Sequence, residues 1–287
     1  MRRWLSVASA SARLVSEWPA LWLPGALAWV VSVGWIPLLV AVARPPSEAE
    51  LTFLGARIVT SGAWPWNAVV IVVLAATVVL AAFAVVASAN AVLIGLVEER
   101  SASGTDALRL LRVALAAAVP GAIVLVLLLA VAASVAPGAF NAPEAEGGGP
   151  VLSMVVSLAP IVIGLAAAVV LGAAFAAVAS RTGGLRTARP GLARLGAAGG
   201  AQVLWGTAIH VAFLLLAGLL LGVLWAPIGA QLAAGGNIDL ATGLLLVGFV
   251  AIWLCLVLVG GALHAWSATT WSRLLAAGPR SMPPQRN

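Results

Sequence analysis

The sequence predicts an all-α fold: a polytopic helical membrane bundle of six transmembrane helices. Three observations carry that prediction. The 287-residue chain is 63% hydrophobic and only 8% charged, whereas soluble domains carry about 25% charged residues. Six apolar runs reach the roughly 20 residues that a bilayer crossing needs. All the basic residues are Arg, and most of them gather in alternate connections between those runs. A net charge of +6 can mark a nucleic-acid binder. Arginines confined to short loops between apolar runs mark the cytoplasmic leaflet instead, so no nucleic-acid partner is expected. The missing Lys, with abundant Ala, Gly and Arg, points to a GC-rich bacterial coding sequence.

The expected spans are 20–43, 67–97, 119–138, 151–180, 201–226 and 241–268, in a single membrane domain over 1–278. Residues 279–287 read as a disordered cytoplasmic tail. Three of the runs exceed the minimum and imply tilt or extension past the headgroups. With the N-terminus inside, thirteen of the fifteen arginines are cytoplasmic, and only Arg44 and Arg57 lie outside. The positive-inside rule therefore places both termini in the cytoplasm of a multi-pass plasma-membrane protein. The start, "MRRWLSVASASARLVSEWP", lacks the apolar segment of a signal peptide and reads as mature protein. Trp18, Trp22, Trp64, Trp66, Trp225, Trp266 and Trp271 fall near span ends, where an aromatic belt is expected.

Cytoplasmic stretches before the odd-numbered spans have amphipathic character. In the first, Arg2, Ser6, Ser9, Arg13 and Ser16 oppose Trp4, Leu5, Ala8, Ala12 and Val15. In the second, Asp106, Arg109 and Arg112 oppose Ala107, Leu108, Leu111 and Leu115, with Ser103 or Thr105 as the cap. The third, "TARPGLARLGAAGG", is interrupted by Pro190 and Gly residues. "RLVSEWPALWLPGA" (13–26) and "RLLRVALAAAVPGA" (109–122) share one spacing of Arg-Leu and Pro-Gly-Ala. We read each as an interfacial helix ended by Pro-Gly where the chain turns into the bilayer. Arg194-Leu195 followed by Trp205-Gly206 is a degraded third copy, giving three repeated units of interfacial helix and two spans. Outside, "EAELTFLGARIV" is expected to form a small helix, and 139–150 a flexible acidic loop.

The chemistry excluded is extensive. Without Lys there is no P-loop or Schiff-base lysine. Asp106 and Asp239 lie outside the spans, and every Glu lies in a loop or at a span end. An aspartyl protease pair and a carboxylate relay are thus impossible. No zinc spacing and no Gly-x-Ser-x-Gly elbow occurs, so no catalytic residue, metal or cofactor is expected. What remains in the spans is a candidate polar cluster, Asn90, Gln202, His210 and His264, all in the cytoplasmic half. It either meets a headgroup, proton or metal, or supplies interhelical hydrogen bonds worth about 0.6 kcal/mol each; the second reading is preferred. Arg109, Arg112, Arg186, Arg189 and Arg194 are candidate interfacial or coupling residues. Gly172-Ala176-Ser180, Gly218-Gly222, Gly261-Ala265 and Ala84-Ser88 are small-residue ladders suited to close helix packing. Cys255 reads as a small buried packing residue, and Glu98, Glu99 and Arg100, at the end of the second span, as ordinary interface charges.

With "SGTDALRLLRVALAAAVPGAIVLVLLL" and its two counterparts, the layout resembles uncharacterised bacterial six-span membrane proteins. It is similar to the membrane domain fused to some glycerophosphodiester phosphodiesterases. The resemblance implies a non-catalytic membrane module, since no soluble segment here could hold that enzyme's catalytic domain. The expected function is an accessory, scaffolding or regulatory membrane module, with the lipid bilayer and a membrane protein as partners. The alternative is a permease-like transporter subunit for a neutral or lipid-like substrate, energised by a separate cytoplasmic ATPase. A lipid-modifying enzyme using His210 and His264 ranks last.

Overall fold

The computed structural model describes residues 2–42, 48–99, 103–116, 127, 149–182, 195–234 and 239–276. Among them all regular structure is helical. Five helices are long and apolar enough to cross a membrane: Pro19–Leu39, Trp66–Val97, Val162–Arg181, Gly196–Ala233 and Leu240–Ala276. Apart from Leu127, the expected span 119–138 lies outside the described residues, as do Arg186, Arg189, Arg194, the second Pro-Gly pair and the tail 279–287.

The chain opens with α1 (Arg2–Glu17). Trp4, Ala8, Ser11 and Val15 are its buried residues, one stripe at i, i+4, i+7 and i+11. Leu5 and Ala12, expected on that side, are exposed. The stripe meets protein rather than lipid, which selects a narrower face than the amphipathic pattern alone. A 3₁₀ turn, Pro19–Leu21, then leads into α2 (Trp22–Trp29). The chain breaks at Trp18-Pro19 and not at Pro24-Gly25, as the repeat reading expected. Pro24 sits in the first turn of α2, where backbone N–H groups have no intrahelical acceptor, so proline costs nothing there.

A π turn at Val30–Gly34 joins α2 to α3 (Trp35–Val42). Pro37 follows three residues later and has no N–H to offer the carbonyl of Val33, so the regular ladder is interrupted here. Next come α4 (Glu48–Thr60), the expected small outer helix, and α5 (Trp66–Val97). Residues 104–116 form α6. Ser103 is its cap: its Oγ accepts the N–H of Asp106 at 3.2 Å, and Asp106 Oδ2 accepts the Ser103 backbone N–H at 3.3 Å, the reciprocal pattern of a capping box. The buried side chains of α6 are Leu110 and Val113, while Leu108 is exposed, so the apolar face is rotated from the expected one.

The last three helices are α7 (Gly149–Thr182), α8 (Gly196–Ala233) and α9 (Leu240–Ala276). The third repeat fails where it is visible, because α8 begins directly after Leu195 and runs unbroken through Trp205 and Gly206. Gly196 starts it with φ +46°, a left-handed backbone that glycine adopts without a Cβ penalty. Asp239 starts α9: its Oδ1 accepts the Thr242 N–H at 2.8 Å. That backbone bond, first, and the Thr242 side chain hold the Asp239 carboxyl below its ordinary value. The cap is therefore fully present above the ordinary aspartate range and is lost as pH falls through the depressed native value. Amide exchange over 240–243, corrected for intrinsic rates, is expected to rise in that acid window. Asp239→Asn, which keeps a neutral acceptor, should abolish the rise.

Helix α9 is central and packs against α1, α2, α5, α7 and α8. Three buried clusters stack along the bundle. The largest, at one end, joins Trp4, Val15, Leu93, Ile94, Leu110, Val170, Trp271 and Leu274. The middle one centres on Trp29, Val169 and Leu214, and the third on Leu221, Ile228 and Phe249. Exposed Leu and Val cover the outside of α8 and α9 and all sides of α5 up to Leu80, an apolar area far beyond what water-facing proteins carry.

Close packing uses only some of the small-residue ladders. A Cβ at Gly25 would lie 3.3 Å from the Ala265 Cβ and strike the Gly261 carbonyl, so α2 and α9 cross backbone to backbone at Gly261-Ala265. At Gly172, Gly218 and Gly222 a Cβ would meet nothing within 4 Å, and Ser88 is exposed. Among the described residues these positions do not mark close crossings. Cys255 also differs from expectation: it is exposed on α9 rather than buried.

Candidate functional site

Helices α8 and α9 face one another with polar rows. Gln202, Gly206 and His210 recur at four-residue spacing on α8, and Gly260, His264 and Ser267 share a face of α9. The structure buries all four candidate residues: Gln202 and His210 at 0% exposure, His264 at 2% and Asn90 at 5%. It does not join them into one hydrogen-bonded cluster. Instead it divides them into three local arrangements, each tying an apolar helix to a neighbour or to itself.

Gln202 is the hub nearest the end of the bundle. Its Oε1 accepts the Trp4 indole N–H at 2.7 Å, and its Nε2 donates to Ser267 Oγ at 3.4 Å. One amide thus holds α1, α8 and α9 together. His264 Nε2 lies 2.9 Å from Asn90 Oδ1. An amide oxygen only accepts, so Nε2 carries the proton and links α9 to α5. His210 Nδ1 lies 2.8 Å from the Gly206 carbonyl, one turn back on its own helix, which places that proton on Nδ1. The remaining ring nitrogens, His210 Nε2 and His264 Nδ1, are lone-pair acceptors with no described partner. Among the described residues neither imidazole has a carboxylate partner, and no group of three or more His, Cys, Asp or Glu could hold a metal ion. The arrangement fixes helices and presents acceptors.

Indole groups are the residues that sequence reasoning misplaced. Trp18, Trp64 and Trp66 are exposed near helix ends, as a belt requires. Trp22, Trp266 and Trp271 instead donate to the carbonyls of Val15, Ala8 and Val170. An indole N–H in an apolar interior needs an acceptor, and the nearest acceptors are backbone carbonyls of packed helices. Trp4, not picked out as a site residue, lies on the buried stripe of α1, which was the available signal.

A second polar centre was also missed. Glu98 closes α5, and its Oε1 lies 2.9 Å from Arg181 Nη2 on α7. Ser272 of α9 donates to the same oxygen at 2.9 Å and receives Arg181 Nη2 at 3.1 Å. The side chains of Arg181 and Glu98 are 31% and 17% exposed, so the pair is partly screened. A double-mutant cycle with Arg181→Met and Glu98→Gln is expected to give a coupling of about 1 kcal/mol, the upper end for a partly exposed pair. Thermal unfolding of the four proteins at low and high salt measures it.

Arg109 pairs with Asp106 at 3.6 Å within α6, and Arg112 is exposed. Comparison with family models, with curated proteins and with solved structures found no match to the chain.

Proposed function

We propose that the chain is a non-catalytic integral membrane protein of the plasma membrane, an accessory, scaffolding or regulatory module whose partner is another membrane protein. The reading comprises six spans in a single domain and the arginine-rich rim in the cytoplasm with both termini. One observation carries it. The polar side chains of the apolar helices are spent on holding helices together, as in Trp4–Gln202–Ser267 and Asn90–His264. The sequence resemblance to a membrane domain fused to some glycerophosphodiester phosphodiesterases is in keeping with this.

The test is the double variant His210→Ala, His264→Ala, expressed in its native membrane. Lower thermal stability with an unchanged lipid profile is expected. An altered lipid profile at unchanged stability would overturn the reading in favour of a lipid-modifying enzyme.

A permease-like subunit is the second reading, and α6 favours it. Leu110 and Val113 anchor that helix in the large buried cluster while Arg112 stays exposed, the arrangement of a rigid coupling element. Repeated co-purification of an ATPase from native membranes, lost on Arg112→Glu, would establish this reading and displace the first.

A further inference from the structure

The polar face of α1 turns away from the core and, with the end of α9, forms an open cleft of about 400 Å³. Ser6, Ser9, Ala10, Arg13, Leu14 and Glu17 line it from α1, and Arg273 from α9. Two bonds hold the walls in place: the Trp266 indole donates to the Ala8 carbonyl at 3.0 Å, and Arg3 donates to the Leu274 carbonyl at 3.3 Å. We propose that this cleft binds the headgroup of a phospholipid bearing both a phosphate and a primary ammonium, that is, phosphatidylethanolamine.

The chemistry of the lining divides into two halves. Arg13 and Arg273 supply only donors, and among the described residues neither has a carboxylate within ion-pair distance. Two guanidiniums sharing one cleft repel each other, and an anion with several oxygens relieves that repulsion while accepting from both. Phosphate is such an anion, and it lies at this level of a leaflet. The other half supplies only acceptors. The Ser6 hydroxyl proton is committed to the Arg3 carbonyl at 2.9 Å and that of Ser9 to the Ser6 carbonyl at 3.1 Å. Their oxygens keep lone pairs and no free proton. Glu17 adds a carboxylate one turn beyond Arg13. Ammonium N–H groups suit that set, and a trimethylated ammonium, with no N–H, does not. Ala10 and Leu14 give the cleft an apolar side for the glycerol and first methylenes.

The inference rests on the membrane reading above, and its test separates the two. Full-length protein in detergent is titrated with dihexanoyl phosphatidylethanolamine, the matching phosphatidylcholine, the matching phosphatidylglycerol and inorganic phosphate, with native mass spectrometry as readout. The ethanolamine lipid is expected to bind at least 10-fold tighter than the choline lipid. Arg13→Gln with Arg273→Gln should weaken both lipids about 10-fold or more, whereas Glu17→Gln should erase the preference while leaving choline-lipid affinity unchanged. Each variant's thermal unfolding is recorded alongside: Arg13 and Glu17 are exposed and Arg273 is half-buried, so folding should not change. Equal binding of the three lipids, or binding indifferent to both arginines, overturns the headgroup site. Inorganic phosphate competing as well as the ethanolamine lipid assigns the cleft to a free anion and equally overturns it. Folded protein that stays soluble without detergent would remove the membrane reading itself.

Discussion

Gly261→Ala is expected to destabilise the bundle by about 3 kcal/mol or more and to broaden its detergent-solubilised elution peak. The added Cβ would lie 2.6 Å from Ala26 Cα and 2.7 Å from Ala26 Cβ. Overpacking usually costs about 1–3 kcal/mol because side chains can shift aside. Here the obstruction is largely backbone, so α2 and α9 must separate. That separation would also disturb Trp29, whose ring lies against Gly260. Gly218→Ala and Gly222→Ala provide the control. Among the described residues nothing lies within 4 Å of a Cβ at either position, and alanine is favoured over glycine in a helix by up to about 1 kcal/mol. Both are expected to leave the melting temperature unchanged or raise it. If Gly261→Ala melts with the controls, the α2–α9 crossing described here is wrong.

Trp4→Ala should produce the other large effect, a loss of about 3–5 kcal/mol, the range for removing a buried Trp. Trp4 is 7% exposed, stacks on Trp205 at 6.4 Å between ring centroids, and donates to Gln202. Its removal empties a pocket between α1 and α8 and leaves the Gln202 oxygen without its 2.7 Å donor. Trp4→Phe separates the two contributions. It keeps much of the packing but strands the acceptor, which should cost about 1–3 kcal/mol. Limited proteolysis across Trp18–Leu21 offers a local readout. Trp4→Ala should release α1 to cleavage at temperatures where the remaining helices still hold, and uniform resistance would refute its docking role.

Much of the fold was legible because its signals are local. The runs predicted at 20–43, 67–97 and 151–180 match helical segments within a few residues, since apolar composition by itself sets where a helix can cross hydrocarbon. The runs at 201–226 and 241–268 lie inside longer helices, Gly196–Ala233 and Leu240–Ala276. The second helix continues past its run through Thr269 to Ser272, which are polar or indole-bearing yet buried by neighbouring helices. Naming Asn90, Gln202, His210 and His264 needed only their rarity in apolar surroundings. Pairing His264 with Asn90, and Gln202 with Trp4 and Ser267, could not be read, because residues 174, 198 and 65 positions apart in the chain meet only through helix packing. The first copy of the Arg-Leu and Pro-Gly spacing misled for a related reason: Pro24 was read as a break, whereas proline in a first helical turn breaks nothing.

Composition and periodicity alone pointed to apolar helices with charge collected between them, and among the described residues all regular structure is helical, with five helices long and apolar enough to cross a bilayer. Those properties depend on what each short segment exposes to its solvent. Tertiary structure decided which small residues carry a helix crossing, which indoles become tethers rather than belt, and where α1 lies. Each of those depends on what a neighbouring helix places opposite: a backbone against Gly261, a carbonyl for Trp271, an amide for Trp4. A single strand of sequence carries no record of that opposite side.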